Sequence, residues 1–199
     1  MKRFRRGMML LITFFPLVGC EKLQTKQPEL VTQSLSSKEE YLLNLTGNKV
    51  LLYSLNNMPL QDGYELSLTY EVYEHGEKIK EELLLSIIEP EPDGHSFDET
   101  IGLNFQGNKI RVLSGNDRSY ASGSLQIEED LSQYAQAFFG NRLDLPLGTE
   151  VYVYYANDGN SMTTNIPLGV PLSSVNMDDF FQTGESVILI KLSFQPSSN

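Results

Sequence analysis

The stretch YELSLTYEVYEHGEKIKEELLLSI, residues 64–87, decides the fold class through its alternation of apolar and polar side chains. In its first half the apolar set is Tyr64, Leu66, Leu68, Tyr70 and Val72. This period of two is typical of a strand with one buried face. A two-residue turn at His75-Gly76 predicts an antiparallel hairpin, and the turn also predicts its register. The expected pairs are Val72 with Ile79, Leu68 with Leu83, Leu66 with Leu85, Tyr64 with Ile87 and, on the outer face, Glu71 with Lys80.

Two further turns of the same kind extend the hairpin pattern outward. Gly107-Asn108 predicts pairs of Phe105 with Ile110 and Leu103 with Val112, and Asp158-Gly159 predicts pairs of Tyr155 with Met162 and Val151 with Ile166. Strands are also predicted at 49–55, at 125–128 and at 186–194. The last of these is apolar on both faces and is therefore expected at the centre of a sheet.

One short helix is predicted near 129–139, because apolar residues at helical spacing share a face and Gly140 follows them. A shorter helix is a candidate from Lys38 to Leu45. A single twisted sheet could not bury its own apolar face and that of the helix. We therefore expect an all-β fold, a two-sheet β-sandwich built from antiparallel hairpins, with an immunoglobulin-like order as one form and the helix covering an edge or end.

The N-terminus has the charge order of an export signal. Four cations, Lys2, Arg3, Arg5 and Arg6, precede an apolar run of 11 residues, Met8 to Val18, which contains Pro16. Spanning a bilayer takes about 20 residues. The run is therefore interpreted as the apolar region of a signal peptide covering residues 1–19.

The sequence Leu17-Val18-Gly19-Cys20 resembles the lipobox of bacterial lipoproteins. The resemblance covers residues 1–20 and implies cleavage after Gly19 and acylation of the Cys20 sulfur. Each buried methylene contributes about 0.8 kcal/mol, so two or three acyl chains would anchor the protein stably. Cys20 is the only cysteine, which leaves no intramolecular disulfide to form. There are two alternatives, a chance cysteine after an ordinary signal peptide and a short buried helix with a core thiol. The first would leave a lone thiol outside the cell, and the four flanking cations disfavour the second.

The charge of the chain is strongly acidic. Loss of residues 1–19 removes four of 15 basic residues and none of 26 acidic ones, leaving a formal charge of −15. Such a surface disfavours nucleic acid and flat binding to an anionic membrane. The polar segment 20–37 is expected to be a lipidated N-terminus with a flexible tether of about 20–25 Å reach, and residues 38–199 the sandwich domain.

Candidate catalytic and metal-binding groups are few. The sequence has no HExxH, GxSxG, CxxC or nucleotide-binding motif, and His75 is expected in a turn. The loop 89–99 places His95 among Glu89, Glu91, Asp93, Asp98 and Glu99; it is either a cation site for Ca²⁺ or Zn²⁺ or an ordinary solvated connection. Asn157 to Asn160 is interpreted as a turn.

Three tyrosines in one strand could pack in the sheet or form a carbohydrate platform, and sheet packing is favoured. Tyr155 is predicted inward with Val151 and Val153, and Tyr152 and Tyr154 on the opposite face.

Together these observations predict a membrane-anchored extracytoplasmic lipoprotein whose domain is a non-catalytic binding or interaction module, with Cys20 as the lipidation site. No catalytic, cofactor or metal residue is assigned. An envelope protein is the expected kind of partner. The alternatives are an envelope hydrolase with unrecognised catalytic carboxylates and a structural accessory of an envelope complex.

Overall fold

The computed structural model describes residues 26–59, 63–89, 99–116, 119–159, 166–181 and 186–197. Within these ranges eleven strands, numbered in chain order, form two antiparallel sheets. The predicted all-β sandwich is confirmed. It has more strands than an immunoglobulin domain.

The first sheet, sheet A, contains six strands in the spatial order β7-β6-β5-β2-β1-β9. They are β1 (Glu29–Thr32), β2 (Lys49–Asn56), β5 (Glu99–Gln106), β6 (Lys109–Asn116), β7 (Ser119–Gln126) and β9 (Arg142–Asp144). The second, sheet B, contains five strands in the order β4-β3-β11-β10-β8. They are β3 (Tyr64–Glu74), β4 (Glu77–Glu89), β8 (Ala135–Phe138), β10 (Thr149–Asn157) and β11 (Ser186–Pro196).

The main core lies between the two sheets and consists of apolar side chains from both. The predicted inward residues of β3 are all buried here. They are joined from sheet A by residues that include Leu30, Tyr53, Leu55, Ile101, Leu103 and Phe105. The alternation seen in residues 64–74 therefore does mark the core face of a strand.

Two of the sequence predictions on pairing are confirmed. The Gly107-Asn108 turn joins β5 to β6 with Phe105 opposite Ile110 and Leu103 opposite Val112. Strand β11 is central, because β3 and β10 pair with its two sides. Both of its faces are covered, as its sequence requires.

The predicted register of the first hairpin is wrong beyond its turn. Glu74 faces Glu77 as expected, but the register shifts between Val72 and Tyr73 and again between Leu68 and Thr69. Each β-bulge adds one residue to β4, so the far half of that strand is displaced by two residues. The observed pairs are Val72 with Lys80, Leu68 with Leu85, Leu66 with Ile87, Tyr64 with Glu89 and Glu71 with Glu81. As a result Ile79 and Leu83, predicted inward, are exposed.

The predicted hairpin at Asp158-Gly159 is also wrong. Strand β10 pairs with β11 on one side and β8 on the other. Val151 faces Leu192, and its second bridge is to Pro171 rather than to Ile166. Met162 lies outside the described residues. Both edges of β10 are taken by strands distant in sequence, which a local turn signal cannot reveal.

The helix predicted near 129–139 does not form. Asp130 caps a single 3-10 turn, Leu131–Gln133, by accepting a hydrogen bond from the Ser132 amide. The chain then becomes extended at Tyr134 and continues as β8, which pairs with Tyr154–Asn157. Pairing with a neighbouring strand overrides the helical spacing of this segment. The shorter helix is confirmed as α1 (Ser37–Leu45).

The segment predicted to be a tether, residues 20–37, is in part a strand of the sandwich. Residues 29–32 form strand β1 between β2 and β9, and Leu30 is fully buried in the core. The sandwich therefore begins at Glu29 rather than at Lys38. Glu29 lies opposite Asn56, whereas α1 joins the other end of β2 at Lys49. The chain thus reaches the sandwich at one end, and α1 lies at the other.

Candidate functional site

Helix α1 starts with a complete capping box. Ser36 donates its backbone N–H to Glu39 Oε2 at 2.8 Å, and the Glu39 amide donates to Ser36 Oγ at 3.4 Å. These bonds satisfy groups that a helix start leaves unpaired, and the hydrogen bonds from Ser36 lower the pKa of Glu39. Gly47, at φ 68°, ends the helix by donating to Asn44 O. Local sequence therefore explains why α1 forms at this point.

A cleft of about 270 Å³ lies between α1 and the start of β2. Its lining mixes apolar and polar side chains: Leu35, Glu40, Leu43, Asn44, Asn48, Lys49, Val50, Leu51 and Phe138. Lys49 Nζ lies 6.0 Å from the centre of the Phe138 ring, within cation–π range. Sites that enclose a whole small-molecule ligand are typically larger. The cleft therefore fits one or two side chains of a partner better than an enclosed metabolite.

The outer face of α1 is apolar and uncovered. No residue of the helix is buried. Tyr41 is 62%, Leu42 51% and Leu45 65% exposed. Because Leu45 follows Tyr41 by four residues and Leu42 by three, the three side chains share one helix face. The cleft lies on the other side of the helix, where Glu40, Leu43 and Asn44 face it. The apolar face and this cleft, which we together call the α1 surface, form the candidate functional site.

A second cluster of chemically capable groups surrounds Glu71 on the outer face of sheet B. The side chain of Glu71 is only 1% exposed. Its Oε2 accepts hydrogen bonds from the hydroxyls of Tyr73 at 2.8 Å and Tyr152 at 2.9 Å. Its Oε1 lies 3.1 Å from Lys191 Nζ and 3.4 Å from Lys78 Nζ. The predicted partner of Glu71, Lys80, contacts Glu82 instead.

The electrostatics of this cluster favour the ionised form of the carboxylate. Burial by itself would raise the pKa of Glu71, but hydrogen bonds from Tyr73 and Tyr152 and the charge of Lys191 outweigh it and hold the pKa below its usual value. Burial raises the pKa of Tyr73 to about 12 and also raises that of Tyr152. Both carboxylate oxygens are occupied by donors. The arrangement joins strands rather than offering a general base to a substrate.

The Glu71 cluster lies under a covering segment, residues 166–181, which includes the 3-10 helices Leu172–Ser174 and Met177–Phe180. Phe180 is fully buried and packs edge-on against Tyr152, with ring centres 5.0 Å apart. Phe181 lies 5.0 Å from the Tyr73 ring. The segment 166–181 thus covers the outer face of sheet B, a role that the sequence analysis assigned to no element.

The predicted orientations of Tyr154 and Tyr155 are reversed by a register shift between Tyr152 and Tyr154, whereas Tyr152 lies on the face opposite Val151 and Val153, as predicted. Tyr154 packs in the main core with Val151 and Val153, stacked on Phe105 at 4.5 Å. Tyr155 lies with Tyr152 under the covering segment. All three rings are buried. They form no exposed platform for a carbohydrate, so the preference for sheet packing is confirmed.

The other candidate residues are not brought together. His75 adopts φ 51° in the β3–β4 turn, as expected of a turn residue. Asn157 Oδ1 accepts from the Gly159 amide, in keeping with the predicted turn, although Asn160 lies outside the described residues. Cys20 and His95 also lie outside them, as does most of the loop 89–99. Within the described ranges no group of three or more metal-ligating side chains occurs.

The burial of Glu71 could not be read from the sequence. Its one signal was a carboxylate flanked on its strand by aromatic and β-branched residues, which is also usual on a solvated strand face.

In the part of the chain that the structure describes, no helix has the length and apolarity needed to cross a membrane. Comparison with known proteins gives no match to any protein-family model, curated protein or solved structure.

Proposed function

We propose that this protein is a lipoprotein anchored at the extracytoplasmic face of a bacterial membrane through Cys20, and that its β-sandwich is a non-catalytic module that binds an envelope protein. The observation that carries the proposal is the position of the α1 surface. This uncovered apolar surface lies at the end of the sandwich opposite the point where the chain leaves toward Cys20.

The short segment between Cys20 and β1 determines which end of the sandwich faces the membrane. Eight residues, 21–28, separate Cys20 from β1. Even fully extended, eight residues span at most about 29 Å, so the end of the sandwich at Glu29 stays within that distance of the lipid anchor. Lys49 lies seven residues from Asn56 along β2, which corresponds to about 23 Å. The α1 surface would therefore project away from the bilayer, toward other envelope components.

The chemistry of the α1 surface favours a protein partner. Tyr41, Leu42 and Leu45 offer exposed apolar contacts, and such patches mark interaction sites when they are contiguous. The cleft on the other side of α1 would accept an apolar side chain, with Lys49 and Glu40 able to bond polar groups at its rim. The acidic charge of the chain keeps it soluble above the membrane.

Anchoring is tested with the full chain in its host membrane. Growth with an alkyne-tagged fatty acid should label the wild type, and Cys20→Ala should lose both the label and the membrane association. A wild-type protein without label, together with membrane-bound Cys20→Ala, would show that another element holds the protein there.

Binding at the α1 surface is tested by placing a photo-crosslinking residue at Leu42 of the full chain in intact cells. We expect a discrete crosslinked protein whose yield falls when Leu45→Asp is added. The same residue at Asp144, at the other end of the sandwich, serves as the control. Equal products from the two positions, or none from Leu42, would contradict the assignment of this surface.

A further inference from the structure

The edges of the two sheets differ in how they are protected against strand addition. An outer strand exposes unpaired N–H and C=O groups, and proteins usually block them with charges, bulges or short length. In the described part of the chain β9 has three residues, two of them charged, and β8 has four. Strand β4 carries six charged residues and two register shifts. These three edges are each protected.

Strand β7 lacks every one of these protections. Its eight residues, SYASGSLQ, include no charge and no proline. It pairs with β6 without a register shift, and no described strand pairs with its other edge. Every residue of β7 except Leu125 is exposed. A long, regular, uncharged edge is unusual in a chain whose net charge is −11.

The pairing with β6 shows which backbone groups point outward. The Ile127 amide donates to Asn108 O at 2.9 Å, just beyond the last pair of the ladder. Hydrogen bonding alternates along an antiparallel strand. The odd-numbered residues of β7 therefore bond β6, and Tyr120, Ser122 and Ser124 direct their N–H and C=O groups to the open edge.

We propose that β7 accepts an additional antiparallel strand from an extended segment of a partner protein that carries Lys or Arg immediately before that segment. Main-chain hydrogen bonds would supply affinity, as in other cases of strand addition. Glu128, Glu129 and Asp130 follow β7 closely. Glu129 and Asp130 accept hydrogen bonds from the neutral donors of Tyr70 and Ser132, and Lys80 lies within electrostatic range of Glu128 and Glu129, so three acidic side chains share one neighbouring cation of β4. An antiparallel segment starts beside this end of β7, so its preceding cations meet the acidic residues.

Charge also distinguishes this occupant from a second copy of the chain. Two antiparallel β7 strands would bring together two molecules that each carry a net charge of −11 or more negative. A cationic segment meets attraction instead. This inference is separate from the α1 surface and does not depend on lipidation of Cys20.

The test uses the full chain in detergent and a fluorescein-labelled peptide, Lys-Lys-Thr-Val-Thr-Val-Thr, with binding followed by anisotropy. Matched peptides replace the two lysines with glutamates or move them to the other end. We expect the first peptide to bind at least about tenfold more tightly than either control, and to weaken as salt is added.

The matched protein variants are Ser122→Pro, which removes one outward N–H, and Ser122→Thr, which keeps it. An outward-facing proline leaves the β6 ladder intact, so circular dichroism should show both variants folded. Ser122→Pro should weaken binding about tenfold, and Ser122→Thr should leave it unchanged. If Ser122→Pro fails to fold, a version of the labelled peptide with every second backbone amide methylated replaces it as the test. This methylated peptide must not bind the wild-type protein.

Several results would overturn the proposal. These are equal binding by Ser122→Pro and the wild type, equal binding of the lysine and glutamate peptides, tight binding of the methylated peptide, and no binding at millimolar peptide. A concentration-dependent dimer in analytical ultracentrifugation that Ser122→Pro abolishes would assign the edge to a second copy instead.

Discussion

The carboxylate of Glu71 joins four strands of sheet B, because its donors come from β3, β4, β10 and β11. Removing one partner of a buried ionic group leaves the others without compensation. We expect Glu71→Ala to lower the free energy of unfolding by about 3–5 kcal/mol. Glu71→Gln, which keeps the shape and one acceptor, should cost less. Urea denaturation at neutral pH measures both.

The same residue predicts a dependence of stability on pH. The folded-state pKa of Glu71 lies below its usual value, so the ionised form contributes stability above the unfolded pKa. That contribution is lost as the pH falls through the folded pKa. The difference in unfolding free energy between wild type and Glu71→Gln should therefore shrink in acid. A difference that stays constant with pH would show that Glu71 is not ionised in the fold.

Tyr70 and Tyr154 are both fully buried, but removal of the hydroxyl group should affect the stability of the fold differently at the two positions. The Tyr70 hydroxyl donates to Glu129 Oε2 at 2.8 Å, whereas the Tyr154 hydroxyl has no partner in the described part of the chain. Tyr70→Phe should destabilise by about 1.5 kcal/mol, and Tyr154→Phe should be neutral or stabilise by up to about 1 kcal/mol. Thermal denaturation distinguishes the two. Equal losses would mean that Tyr154 is hydrogen-bonded after all.

Among the elements, α1 depends most on its own sequence, because none of its residues is buried. Ser36→Ala removes the capping box and should lower the stability of α1 by about 1 kcal/mol. The effect should appear as faster hydrogen exchange of the α1 amides and hardly in the global unfolding transition. Ser37→Ala, one residue later and outside the cap, is the control. Slower or unchanged exchange in Ser36→Ala would contradict the role of the cap.

At the scale of the whole molecule, the two ends of the sandwich should lie at different heights above the membrane. Acylation of Cys20 would leave an introduced cysteine as the only free thiol. A fluorophore on Asp144→Cys, beside Glu29, should be quenched by headgroup-labelled lipids. The same fluorophore on Tyr41→Cys should not be quenched. Equal quenching at both positions would mean that the domain lies flat.

The sequence determined by itself those features that depend on neighbouring residues. Alternation marked the core face of β3, the Gly107-Asn108 turn set the register of β5 and β6, and continuous apolarity placed β11 at the centre of its sheet. Two-residue periodicity and turn geometry are local properties, so they can be read from a single chain. The lipobox at Cys20 is equally local and stays a prediction.

Only the tertiary structure decided the features that depend on distant partners. Bulges in β4 and β10 moved Leu83 outward and Tyr154 inward, and pairing with β10 converted the segment predicted as a helix into β8. The Glu71 cluster required four strands and a covering segment to meet. A one-residue shift reverses which face a side chain occupies, and the partners that cause such shifts are separated from it by long stretches of sequence.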